Sequence, residues 1–471
     1  MNINNLNNMT EQTLNLCRSN DLLKYNNILE QIINQSYAIN FREIANLKGS
    51  EKTTSKIYEV VTINELLKHV RSLNSDFATS EKQIYSYNGA YWEILDRDVF
   101  KIFLGDFALQ IGVPPVDAMH YRFKDKLLEQ FSSSTIKSNQ KSNNETTINL
   151  KNGTFYINEK SYGLRDFDKT DFLKYQLQFE YNPEAECPIF QKYLNEVLPD
   201  KDLQNVLAEY VGYVFAKHLK YEAVAILLGS GANGKSVFFD VLNALLGKEN
   251  ISNYSLRELA EHKSYQRGEL ENVLLNYSSE MDTSFDFQTF KQLVSGEEVG
   301  VRGIYRDPKI MRDYGRLMFN TNTLPSHIEQ TDAIYRRLLP IPFNTTIPKE
   351  KQDKDLAKKI IKHELSGVFN WALDGMKRLL DQDGFTESKI IEDEIQEFKK
   401  DSNPVAIFIE EKNYRPSISK TKLLKTLFDE YQVYCKTNGY ISLSSIKFHK
   451  MLKSLGYKSK RIIDGNIIYI E

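Results

Sequence analysis

The spacing of apolar residues changes several times along the chain, and each change predicts a different element. From Met1 to about Ser75 polar residues dominate, and the modest recurrence of Leu22, Leu23, Ile28, Leu29 and Ile32 predicts polar helical segments. Ile84–Leu95 (IYSYNGAYWEIL) reads instead as two aromatic strands around an Asn88-Gly89 turn. A helix is expected over Asp98–Ile111, an exposed linker over the apolar-poor stretch Ser132–Asn144, and short strands around Gly153 and Leu164. Leu203, Val206, Leu207, Tyr210, Val211 and Val214 return to helical spacing. Directly after them Ala223–Leu228 (AVAILL) is wholly apolar, the pattern of a strand buried on both faces. Val237–Leu246 is helical again and stops at Gly247, a C-terminal helix signal. Apolar strands and helices then alternate to about Phe343, as in an α/β core, and Lys354–Leu380 continues as amphipathic helix. Beyond about Asp401 the expected order is a helix (Lys420–Cys435), a second helix opened by Ser444 or Ser445, and two short strands around Asp464-Gly465. Helix, helix and a β-wing is the outline of a winged helix-turn-helix. No internal repeat is visible.

Composition narrows the classes. The chain has 471 residues, 26% of them charged, and a net charge of −2, so any nucleic-acid binding has to come from local patches. One such patch is evident: between Lys412 and Ile463 twelve Lys and Arg face only Asp429 and Glu430. Cys17, Cys187 and Cys435 are scattered, which argues for reduced thiols in a cytosolic compartment and against a zinc site. The N-terminus (MNINNLNNMTEQ) lacks the apolar core of a signal peptide, and no apolar run approaches the ~20 residues of a membrane span. No membrane partner is expected.

Candidate chemistry begins at Gly229–Ser236, which read GSGANGKS, a complete G-x-x-x-x-G-K-[ST] loop set between the apolar strand and a helix. Gly229, Gly231 and Gly234 allow the backbone, with Ser230, Ala232 and Asn233 between them, to turn its N–H groups inward around phosphates. Lys235 would reach the β/γ-phosphates and the Ser236 hydroxyl would ligate Mg²⁺. A chance glycine-rich turn is the bland reading, and the flanking strand and helix argue against it. A second buried strand, Val273–Asn276, leads to Glu280 and Asp282, the place where phosphate-loop NTPases keep a carboxylate for Mg²⁺ and the attacking water. Glu280 is the first choice and Asp282 the second; a solvated acid at a strand end is the alternative. A third strand, Arg316–Phe319, runs into Asn320-Thr-Asn322-Thr-Leu-Pro325, where an amide can contact a γ-phosphate or simply form a turn. Arg336-Arg337 precede a strand or edge segment at Leu338–Phe343, and adjacent arginines are either paired at the surface or supply an arginine finger. Ser295–Lys309 suggests a hairpin with Tyr305, Arg306 and Lys309 near its tip, either stacking a base and holding phosphate or forming a charged surface hairpin. Within the C-terminal patch, Ser445–Leu455 would present Lys447, Lys450 and Lys453 to DNA phosphates, or serve as a protein-interaction wing.

This order of elements resembles the superfamily 3 helicases of the AAA+ class, and more closely the helicase portion of the phage, plasmid and poxvirus helicase–primase family. The residues that carry the resemblance are the phosphate loop, Ser279-Glu280, Lys291-x-x-x-Ser-Gly296, Thr321-Asn322-x-x-Pro325 and Arg336-Arg337-Leu338. Upstream, Trp92, Asn152-Gly153 and Tyr181-Asn-Pro-Glu-Ala-Glu-Cys-Pro188 extend it, so that it covers Ile84–Phe343 and, more loosely, the C-terminal region. The resemblance implies an α/β fold: a AAA+ phosphate-loop NTPase core with a helical, mixed N-terminal region and a C-terminal winged-helix domain. The corresponding layout is a helical region over 1–80, a helicase-associated domain over 81–198, the ATPase over 199–383 and the winged helix over 402–471.

The activity implied is a 3′→5′ DNA helicase of phage or plasmid replication. It would act in the cytoplasm of a host cell on single-stranded and forked DNA, as a homo-oligomeric ring, usually a hexamer, with ATP and Mg²⁺ at subunit interfaces. On that pattern Lys235 and Ser236 hold phosphate and Mg²⁺, Glu280 activates water and Asn322 senses the γ-phosphate. Arg337, with Arg336 as the alternative, is the finger in the neighbour's site, Lys291 approaches nucleotide, and the Arg306 hairpin faces the channel. Longer relatives carry a primase domain. Fewer than about ninety residues precede the resemblance here, and Asp96-Arg-Asp98, the nearby D-x-D, reads as a solvated turn, so a separate primase or other replication partner is expected. Two further functions stay open: an origin-binding initiator whose ATPase drives assembly and melting, and an ATP switch without DNA binding.

Overall fold

The structure, a computed structural model, describes residues 25–80, 83–137, 145–158, 161–261, 263–279, 281, 285–303, 308–324, 332–401, 403–438, 440, 442–463 and 465–471. The chain divides into two units, Met1–Tyr181 and Asn182–Glu471.

The first unit opens with α1 (Asn27–Gln35), α2 (Phe41–Ile44) and α3 (Ser55–Ser72). Strands β1 (Asp76–Ser80), β2 (Gln83–Tyr87), β3 (Trp92–Leu95) and β4 (Ile136–Lys137) form one sheet in the order β3-β2-β1-β4. The expected aromatic hairpin is the antiparallel β2–β3 pair, and the Asn88 side chain closes its turn by accepting from the Ala90 and Tyr91 amides, both at 3.0 Å. Helices α4 (Arg97–Gln110), α5 (Pro115–Met119) and α6 (Tyr121–Ser134) follow. Phe100, Phe103 and Phe107 fall on one face of α4 and join Phe77 and Phe131 in the core, because helical spacing stacks such residues along one stripe. Asp96 is the N-cap of α4, accepting from the Asp98 and Val99 amides at 2.9 Å. The D-x-D is thus the start of a helix rather than a plain turn. Nor is Ser132–Asn144 all linker: Ser132–Ser134 complete α6 and Ile136-Lys137 pair in parallel with β1, while 138–144 lie outside the described residues. A separate antiparallel sheet, β5 (Thr146–Leu150), β6 (Gly153–Ile157) and β7 (Tyr162–Arg165), follows as expected.

The second unit is built on a five-stranded sheet. Helices α7 (Pro188–Val197) and α8 (Lys201–Phe215) lead into β8 (Val224–Leu228), α9 (Lys235–Leu246), β9 (Ile251–Ser252), α10 (Leu256–Ala260) and β10 (Leu275–Ser278). Next come α11 (Phe287–Ser295), the hairpin β11 (Val299–Val301) and β12 (Lys309–Met311), β13 (Arg316–Thr321), α12 (Asp332–Tyr335) and β14 (Leu338–Pro342). Strand order is β14-β8-β13-β10-β9 and every pairing is parallel. β8, with all five residues buried, lies inside the sheet, which is why its sequence shows no polar alternation. Parallel strands end together, and in open α/β sheets the carboxyl ends of the strands form the ligand crevice.

Helices α13 (Leu356–His363), α14 (Leu365–Gln382) and α15 (Lys389–Asp401) complete this part. α14 lies against α8 so closely that a Cβ on Gly375 would sit 2.3 Å from the Ala208 backbone, and one on Gly212 would sit 2.7 Å from the Ala372 carbonyl. Gly375→Ala is therefore expected to destabilise the unit by ~1–3 kcal/mol through overpacking, read as a lower urea midpoint; an unchanged midpoint would mean the two helices separate freely.

The C-terminal part runs α16 (Pro404–Glu411), β15 (Pro416–Leu423), α17 (Leu424–Asn438), α18 (Ser445–Ser454), β16 (Ser459–Ile462) and β17 (Gly465–Ile470). Its antiparallel sheet has the order β15-β17-β16, and Phe408, Tyr431, Phe448, Leu452 and Ile468 form its own core. The helix expected from Lys420 begins at Leu424, since Thr421, Lys422 and Leu423 pair with β17. Ser444, not Ser445, opens α18, its hydroxyl accepting from the Lys447 amide.

Candidate functional site: a phosphate loop at the end of a parallel sheet

The loop after β8 bends through four residues with positive φ: Gly229 (+153°), Gly231 (+109°), Ala232 (+52°) and Gly234 (+86°). Glycine suits position 229, because its φ is positive and a Cβ there would lie 2.8 Å from the Phe343 backbone carbonyl as well as against Asn233 Nδ2. The loop is pinned from several directions. Its Gly229 amide donates to Thr321 O at 3.2 Å, and Asn233 Nδ2 donates to Phe343 O at 3.0 Å. Tyr193 of α7 donates its hydroxyl to Gly234 O at 2.9 Å, and the Ile347 amide donates to Ala232 O at 2.9 Å. Lys235, at the first position of α9, is 6% exposed, and its Nζ donates to the Gly229 carbonyl. Burial holds its ammonium below the usual lysine range, so an arriving anion meets a desolvated cation and a helix N-terminus together.

A cavity of about 1000 Å³ opens over this loop. Gly229, Gly231–Ser236, Ser279, Asn320, Thr321 and Asn322 line it, so the ends of β8, β10 and β13 converge there. Ser236 is in the lining, and Ser230 borders an adjoining hollow. Glu280 and Asp282 lie outside the described residues, although their neighbours Ser279 and Met281 both line the cavity. The sequence reading missed Tyr193, Ile347 and the segment from Lys351 to Ala357, which forms a further wall.

A second cavity, of about 520 Å³, is lined by Lys291, Arg336 and Arg337 among others and shares no lining residue with the first. The two arginines differ sharply there. Arg337 is 6% exposed and spends its guanidinium on Glu222 at 2.6 Å, on Ser295 Oγ at 3.0 Å and on the Ala333 carbonyl. Arg336 has a side chain 65% exposed, with Glu222 at 3.4 Å.

Residues 68–199 match the family described as D5 N terminal like, residues 400–467 the family described as poxvirus D5 protein-like, and residues 227–337, which hold the phosphate loop, a family of unknown function (DUF5906). Together these matches support a phage and viral helicase-like family. A protein of Acanthamoeba polyphaga mimivirus, named as a suspected helicase, is 25% identical over 193 residues, 38% of this chain. The match spans about a fifth of that relative's length, 19%. Two apo structures of the NrS-1 C-terminal region align at TM-scores of 0.48 and 0.47 with 11% and 13% identity. They cover 89% and 88% of this chain and 99% and 98% of their own.

The expected hairpin after α11 is present as antiparallel β11–β12, with Val301 opposite Lys309. Tyr305 and Arg306 lie outside the described residues. Lys309 stands near the tip as expected, in the last pair before the loop, and its Nζ is 2.5 Å from Glu271. The C-terminal cations sit as expected on α18, where Lys447, Lys450 and Lys453 are exposed while Phe448 and Leu452 turn inward. Among the described residues no helix is long and apolar enough to cross a membrane.

Proposed function

We propose that this chain is an ATP-driven DNA helicase of the superfamily 3, AAA+ type, working 3′→5′ as a ring in mobile-element replication. The observation that carries the reading is the convergence of the phosphate loop, Ser279 and Asn320–Asn322 on one cavity at the carboxyl ends of parallel strands. Lys235 and the backbone N–H groups of Gly231–Gly234 would bind the triphosphate of ATP, and Asn322 would contact its γ-phosphate. Mg²⁺ fits this donor set. It keeps most of its waters and needs one hydroxyl or carboxylate besides the phosphates, which Ser236 in the lining and Glu280 next to Ser279 can supply. When bound it neutralises phosphate charge, while Glu280, with Asp282 as second choice, orients the attacking water.

The finger is better assigned to Arg336 than to Arg337. A guanidinium that reaches into a neighbour must be exposed and loosely held, and Arg336 is, whereas Arg337 is buried with three partners. Separation of the two cavities favours a site completed by a second copy. The C-terminal order α, β, α, α, β, β supports the winged-helix reading, with α18 as the DNA-facing helix.

Two experiments test this. Strand displacement on forked substrates of opposite polarity should proceed from a 3′ tail in ATP and Mg²⁺; melting of origin duplex without displacement would favour the initiator, and ATPase indifferent to DNA would favour the switch. A chain ending at Asp401 should keep ATP binding but lose about tenfold or more in duplex affinity at 0.15 M salt, since the phosphate-contacting lysines are removed. Equal duplex binding by the truncated chain would assign the C-terminal part to protein contacts instead.

A further inference from the structure

The C-terminal part has a second, apolar feature inside its basic surface. Between Ser442 and Gly465 the chain carries Lys447, Lys450, Lys453, Lys458, Lys460 and Arg461 against one carboxylate, Asp464. The two halves of this stretch are tied together, because His449 of α18 is 2.9 Å from Ser459 Oγ at the start of β16. At the far end of β16, Ile462 pairs with Gly465, so Ile463 stands in the short loop that closes the β16–β17 hairpin. Its side chain is fully exposed, at 104% of the reference area, and Ile462 beside it is 39% exposed.

Nothing in the fold asks for isoleucine at that point. Two-residue hairpin loops favour Asn, Asp and Gly, which tolerate the required backbone angles, and a β-branched aliphatic in water gains nothing from packing. Scattered exposed aliphatics are ordinary on protein surfaces. Ile463 differs by position: it lies in a hairpin loop that follows directly on Lys458, Lys460 and Arg461. A lipid surface would call for one broad apolar face, whereas the other strongly exposed isoleucines of this part, Ile418 and Ile446, stand on separate elements, β15 and α18. An acidic protein would use the cations and leave the tip without a role. Duplex DNA uses both, since cations beside a groove hold phosphates while an inserted aliphatic side chain parts a base step and bends the helix.

We propose that Ile463 is a wedge that enters the minor groove of duplex DNA and unstacks one base step, with Lys460 and Arg461 anchoring the adjacent phosphates. This rests on the duplex-binding reading of the C-terminal part. It assigns the hairpin a task distinct from that of α18: α18 places the part on DNA, and the hairpin deforms what is bound.

The test uses the full chain and duplexes carrying 2-aminopurine at successive positions, a base that brightens when unstacked. Binding is followed by anisotropy and unstacking by fluorescence. Wild type should bind and raise the fluorescence several-fold at one step. Ile463→Ser should abolish that rise, with the salt dependence of binding and the thermal midpoint unchanged, and Ile463→Leu should retain it. Lys460→Ala with Arg461→Ala should lower the salt slope by about 2, one unit for each phosphate contact. A rise that persists in Ile463→Ser, or wild type that binds duplex without brightening any position, overturns the wedge while leaving duplex binding intact. Flat anisotropy for wild type overturns the duplex reading itself.

Discussion

Lys235→Ala should lose ATP turnover by at least about 10²–10³-fold while remaining folded. The two halves of that expectation have one cause. Lys235 is a buried cation whose Nζ donates to the Gly229 carbonyl, and burial already pulls its pKa down. Alanine removes a charge that is costly to keep desolvated, so the fold loses a single hydrogen bond and is relieved of that cost. A bound nucleotide would lose the one cation held within the loop itself, beside its β/γ-phosphates. Phosphate release measured alongside calorimetric unfolding separates the two: turnover gone with an unshifted unfolding transition supports the assignment. Persistent turnover would place the ATP site elsewhere, and an unfolded variant would make Lys235 structural. Glu280→Gln should differ in kind, keeping ATP binding and losing hydrolysis; normal hydrolysis in that variant would move the role to Asp282.

What could be read from sequence follows from how local the determining contacts are. The phosphate loop was legible because strand, glycines and helix are contiguous and each has its own pattern: AVAILL for burial on both faces, glycines for positive φ, VFFDVLNALL for an amphipathic helix. The hairpins at Asn88 and after α11 were legible for the same reason. Tyr193 and Ile347 were not, since they reach the loop from 41 residues before Gly234 and from well beyond β14, through one hydroxyl and one backbone amide that leave no mark in a pattern. β15 was missed because its eight residues, PSISKTKL, are mostly exposed and without alternation; its pairing with β17 alone makes it a strand. The difference between Arg336 and Arg337 could not be seen in a doublet at all. It depends on Ser295, Ala333 and Glu222, brought to Arg337 by three separate elements.

That difference sets up the second large effect. Arg336→Ala should bind ATP normally, assemble, and turn over about 10³–10⁵-fold more slowly, the range expected when an arginine finger is lost. Arg337→Ala should instead be destabilised by about 1–3 kcal/mol, because it strands the Ser295 hydroxyl and the Ala333 carbonyl in a buried setting. If the finger works across an interface, two inactive chains can restore each other. A Lys235→Ala chain keeps its Arg336, an Arg336→Ala chain keeps its loop, and a ring interface that joins the two in the right order holds a whole site. In a head-to-tail ring assembled at random from equal amounts, roughly a quarter of interfaces have that order, so about that share of wild-type ATPase should return. Subunit exchange must be verified independently, for instance by co-purification of one tagged parent with the other. Mixed rings that stay as inactive as either parent would remove the shared site. Full activity in a dilute, monomeric wild-type sample would remove it too, and would leave Arg336 as a surface cation paired with Glu222.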